Sequence, residues 1–160
     1  MASKNIIGDC KNLGIAGGIL SIISVFLPWY SASAKAEALG VSSSFSVNGL
    51  GWKSGEGVLL GLASGNANWE FQGIGVLALG IACIMAAFVL KEKIQSLVML
   101  ACGLLIIGGG MVNLQSIGSL SGTILGMTMQ SGTGYGLYIV VLGGAVAAGG
   151  GLLSWRGLNN

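Results

Sequence analysis

The chain has 160 residues, of which 53% are hydrophobic and only 8% charged, and its mean hydropathy is +0.85. Seven basic and five acidic side chains cannot coat a soluble globule of this size, and disorder needs the opposite composition. Histidine is absent, which removes the usual haem ligand, the commonest metal ligand and the usual general base. A net charge of +2 without a Lys/Arg cluster excludes nucleic acid as a partner. These figures predict an integral membrane protein in contact with lipid, in a plasma or inner membrane.

Charged residues punctuate the chain and divide it into spans. The run between Lys11 and Lys35 holds the apolar body Leu13–Trp29, and the first span is expected over residues 12–30. Lys4, Lys11, this stretch and then Ser31-Ala32-Ser33-Ala34-Lys35-Ala36 also match a secretory signal with an A-x-A cleavage site. The body is long for a signal, and Trp29-Tyr30 is bulky beside the site, so the segment is expected to be retained. An outer loop follows over 31–70. Within it Val41, Phe45 and Val47 alternate with Ser42, Ser44 and Ser46, the period of a half-buried strand. Asn48-Gly49 is a turn signal, and Val58-Leu59-Leu60 is a second apolar run expected to pair with the strand.

The second span is expected over 71–90, a tight cytoplasmic turn over 91–93 and the third span over 94–112. From Ile94 to Trp155 no charge occurs, too long for one crossing of about 20 residues. The polar stretch 113–134 forms a second outer loop, in which Thr123–Met129 offers one more strand, and the fourth span takes 135–154. The fold class is therefore an all-α membrane protein, a bundle of four transmembrane helices in one domain with a small extracellular antiparallel β element in the first outer loop. Basic residues set the orientation. Lys4, Lys11, Lys91, Lys93 and Arg156 fall on one side and Lys35 and Lys53 on the other, which places both termini in the cytoplasm.

Leu27-Pro28-Trp29 at the outer end of the first span, with Gly49-Leu50-Gly51-Trp52 in a β-rich first loop, resembles the claudin and peripheral-myelin-protein group of tetraspan membrane proteins. The resemblance implies an architecture: four helices, a large first and a smaller second outer loop, and termini inside. Gly51 interrupts the Gly-Leu-Trp motif of that group, the two loop cysteines of claudins are absent, and the paracellular-barrier role is not carried over.

No catalytic, cofactor-binding or metal site is expected. Cys83 and Cys102 lie at similar depth, about 12–14 Å from the inner surface, and are neighbours if their helices face each other; two thiols are too few for a metal centre. Glu37, Glu56 and Glu70 all fall in the outer loops, and no ionisable group sits mid-span where ion-coupled carriers need one. The 30 glycines carry more information. Gly14 and Gly18 in the first span, and Gly143, Gly144, Ala147 and Gly151 in the fourth, are spaced for close helix packing, either within the bundle or against another subunit. Phe45, Trp52 and Trp69 are candidate outer-loop contacts. The expected function is that of a non-enzymatic structural or accessory subunit in a homo- or hetero-oligomeric membrane assembly. The alternative is a small oligomeric channel or translocator with Asn113, Gln115 and Gln130 at its mouth.

Overall fold

The structure, a computed structural model, describes residues 2–36, 41–56, 69–116, 121–124 and 127–159. In chain order these form α1 (Ala2–Phe26), β1 (Pro28–Ala36), β2 (Val41–Asn48), β3 (Lys53–Glu56), α2 (Trp69–Val89), α3 (Glu92–Ser116), β4 (Ser121–Ile124), β5 (Met127–Thr133) and α4 (Tyr135–Asn159). Three helices are long and apolar enough to cross a membrane, over Gln72–Val89, Glu92–Gln115 and Tyr135–Leu158. The apolar stretch of α1, Cys10–Phe26, is shorter, about 25 Å at 1.5 Å per residue.

Helix ends depart from the expected spans for local reasons. Leu27 precedes a proline and is pushed out of the helical region, so α1 stops at Phe26, and Pro28, Trp29 and Tyr30 open β1. The expected turn over 91–93 shrinks to Leu90 and Lys91. The Gln95 amide already donates to the Lys91 carbonyl at 2.8 Å, and Glu92 in the first turn of α3 suits the positive end of the helix dipole.

Each helix packs antiparallel to its neighbours. Gly17 of α1 faces Gly143 and Ala147 of α4, whereas Gly14 faces Gly150; Gly103 of α3 faces Gly144 and Ala148, whereas Leu100 faces Gly151. The most extensive contacts join α4 to α1 and to α3, α2 closes the square, and α1 and α3 barely meet across the diagonal. Towards the sheet the core is built on Val25, Trp29, Val76, Ile106, Leu137 and Val140, and further along on Cys83, Cys102 and Ala147. Buried polar side chains bond to their own helices. Ser21 Oγ donates to the Gly17 carbonyl (2.9 Å), Ser24 Oγ to Ser21 (2.6 Å) and Asn113 Nδ2 to Gly109 (2.8 Å). The outer faces of all four helices carry exposed large apolar residues, among them Ile23, Met85, Leu105 and Leu142.

The five strands form one antiparallel sheet in the order β3-β2-β1-β5-β4. The β element is thus larger than the first loop alone provides, because β4 and β5 come from the second segment. The single strand expected over Thr123–Met129 is two, since Thr123 pairs with Thr128 and Ile124 with Met127. The Val58-Leu59-Leu60 run lies outside the described residues, and the strand beside β2 is β3.

Sheet and bundle are continuous. Only Leu27 separates α1 from β1 and only Gly134 separates β5 from α4, so the adjacent helices α1 and α4 prolong into the adjacent strands β1 and β5. Trp29, 1% exposed, locks the junction. Its indole Nε1 donates to the Ser24 carbonyl (2.9 Å), the Gly134 amide donates to the Trp29 carbonyl (2.8 Å) and the Gly49 amide to Val25 (2.9 Å). The turn after β2 is held by Asn48 Oδ1, which accepts from the Leu50 and Trp52 amides at 3.1 and 2.8 Å. Gly51 there has φ 78°, a conformation that side-chain-bearing residues avoid.

Candidate functional site

The small residues singled out in the sequence come together in two seams inside the molecule. One row of α4, Gly143, Ala147 and Gly150, lies on α1, and a second row, Gly144, Ala148 and Gly151, lies on α3. The approach is backbone to backbone. A Cβ on Gly150 would stand 2.8 Å from the Gly14 nitrogen, one on Gly144 2.9 Å from the Gly103 oxygen and one on Gly151 2.6 Å from the Leu100 nitrogen. Gly18 meets α2 at the Gly80 oxygen (2.9 Å), and the Met99 side chain lies across Gly14. All six predicted positions, Gly14, Gly18, Gly143, Gly144, Ala147 and Gly151, therefore serve packing within the chain. The partners Gly17, Gly80 and Gly103 were not singled out from the sequence, although Gly17 lies one helical turn from Gly14.

The sheet presents two chemically different faces. Directly opposed residues of antiparallel strands share a face, so the register puts Tyr30, Val47 and Thr133 in one row, Phe45, Ala32 and Ser131 in the next on the same side, then Ser43, Ala34 and Met129. Phe45 and Ala34 are buried. The opposite face carries Ser46, Ser31 and Gly132, then Ser44, Ser33 and Gln130, then Ser42, Lys35 and Thr128. A shallow groove of about 640 Å³ runs between the first two of these rows, with Ser54 at its β3 edge and the backbone of Ala32, Phe45 and Gly55 as its floor. Hydroxyl groups dominate it, and they can donate and accept hydrogen bonds without carrying charge.

The aromatic candidates separate. Trp52 is 64% exposed, while Phe45 at 4% belongs to the packing of the sheet and leaves the contact surface; its alternation with solvated serines turns it inward. The side chain of Trp69 lies outside the described residues, as do those of Glu56 and Glu70, and Glu37 lies outside altogether. Asn113 is buried, Gln115 is exposed on α3 and Gln130 is exposed on the sheet. Cys83 and Cys102 are buried in one core cluster, both as free thiols. Among the described residues no three His, Cys, Asp or Glu side chains gather where a metal would bind. Comparison with protein-family models and with curated proteins finds no match.

Proposed function

We infer that the chain is an integral membrane protein of four spans, with both termini in the cytoplasm and the sheet outside. It works without catalysis, as a structural or accessory subunit of a larger membrane assembly. One observation carries this reading: polarity is arranged for lipid. Large apolar side chains cover the exterior of all four helices, and the seams inside are closed by glycine contact, which is how helices hold together where lipid removes the hydrophobic drive between them. Water would strip such an exterior into aggregates. Because the glycine rows are occupied within the bundle, contact with a neighbour falls to the lipid-facing helix surfaces and to the outer sheet with Trp52. The resemblance to the claudin group is in keeping with a β-rich outer element on a tetraspan bundle.

Nothing favours the channel over this reading. Asn113 is buried and bonded to its own helix, whereas Gln115 and Gln130 are exposed.

Cysteines introduced at Ser54 and Gly157, two sites where the structure leaves room, test the topology. An impermeant maleimide is expected to label position 54 in intact cells and to reach position 157 only after lysis. Labelling of 157 in intact cells overturns the orientation. A strictly monomeric particle in native-like lipid overturns the subunit role.

A further inference from the structure

The charges of the chain are divided between its two ends. The helix ends away from the sheet carry Lys4, Lys11, Lys91, Lys93 and Arg156 with Asp9 and Glu92; the elements at the sheet end carry Lys35 and Lys53 with Glu56 and Glu70. Among the described residues the first end therefore holds an excess of three positive charges and the second is balanced. The positive charge is also placed at the rim. Lys91, Lys93 and Arg156 are exposed, and none of them is in an ion pair among the described residues. Arg156 lies just beyond Gly151, which packs on Ser96 and Leu100, so it stands near the start of α3 where Lys93 is.

Lys11 is placed most specifically. Its Nζ lies 5.2 Å from the centre of the Phe88 ring, bridging α1 and α2. Phe88 is 68% exposed and Val89 69%, and Lys91 follows two residues later. Above this point the α1–α2 flank is bare apolar surface, and at it stand two ammonium groups, one of them steered by an aromatic face. A ligand that matches both halves is an amphiphile with a negatively charged head and hydrocarbon tails.

We propose that the inner rim between α1 and α2, built on Lys11, Phe88 and Lys91, binds an anionic phospholipid, with Lys93 and Arg156 extending its field around the bundle. This rests on the four-span reading above, which turns that rim towards the cytoplasmic leaflet. The phosphate of the lipid lies between the two ammonium groups, and its acyl chains run along Phe88 and Val89. A basic residue at an anionic membrane surface contributes about 1 kcal/mol, close to a fivefold change in binding.

The experiment uses the full chain in nanodiscs of phosphatidylcholine doped with phosphatidylglycerol, reading the lipid retained after gentle extraction by native mass spectrometry. Wild type is expected to enrich phosphatidylglycerol several-fold. Lys11→Gln with Lys91→Gln should abolish that enrichment, Phe88→Leu should lower it in part, and Lys35→Gln with Lys53→Gln should leave it unchanged. Equal retention of the two lipids by wild type overturns the proposal, as does equal loss in both pairs of variants or displacement of the lipid by free glycerol phosphate. Carbonate extraction separates this from the reading beneath it. Protein that stays in the membrane pellet without lipid preference refutes the lipid site alone, and protein released to the supernatant refutes both.

Discussion

Adding a single methyl group to Gly103 probes the α3–α4 seam. The new Cβ would stand 2.5 Å from the Ala148 nitrogen and 2.7 Å from the Gly144 oxygen, whereas ordinary contact begins at 3.4 Å. Both neighbours are backbone, so no side chain can swing away and the helices must part by about 0.9 Å locally. A gap of that size forfeits about a quarter to a half of each dispersion contact it opens, and overpacking of this kind costs about 1–3 kcal/mol. Alanine returns up to about 1 kcal/mol through its better helix propensity. Gly103→Ala should therefore destabilise by about 1–2 kcal/mol. Gly149→Ala is the control: nothing lies within 4 Å of its Cβ, so only the propensity gain remains, and it should stabilise by about 0.5–1 kcal/mol. Unfolding in mixed micelles of increasing sodium dodecyl sulfate, followed by far-ultraviolet circular dichroism, measures both. Equal shifts in the two variants would refute the seam. So would a loss that grows on dilution, since a contact within one chain is independent of protein concentration.

Two further outcomes are expected. Phe45→Ala should cost about 3–5 kcal/mol by emptying a buried aromatic site, while Ser44→Ala on the solvated face should be near neutral; thermal unfolding of the two variants compares them, and equal tolerance contradicts the register of β2. Diamide should oxidise Cys83 and Cys102 to a disulfide, their two thiol hydrogens passing to the reagent, and leave Cys10 free for alkylation after denaturation. Intact mass with and without Cys102→Ser reads this, and a product that includes Cys10 contradicts the pairing of α2 with α3.

The helices were legible because charge is so scarce that Lys11, Glu70, Lys91 and Arg156 nearly bracket the apolar runs. Hydropathy marks the greasy body of a helix and not its hydrogen-bond ladder, so α3 and α4 extend beyond the expected spans. β2 was legible from the alternation of Val41, Phe45 and Val47 with serine. β1 was not, because its inward residues Ala32 and Ala34 are too small to register as an apolar face, and β3, Lys-Ser-Gly-Glu, has no apolar residue at all. Strand pairing between distant segments, such as Ala32 with Ser131, leaves no local trace. The glycine positions could be picked out by spacing, but their partners could not: whether Gly144 meets a subunit or Gly103 is a question of three-dimensional packing. The Lys11–Phe88 contact joins two helices 77 positions apart in sequence and has no motif.

The passage of α1 into β1 and of β5 into α4 without an intervening loop has a mechanical meaning. A flexible joint would let the sheet swing while the helices stayed still. Here β1 and β5 and the helices α1 and α4 that they prolong are one antiparallel ribbon, clamped where Trp29 is buried. Torque applied at the sheet is delivered to the α1–α4 seam, and a change of tilt of that pair swings the serine-lined groove through a proportionate arc. The sheet thus turns with the two helices that carry it.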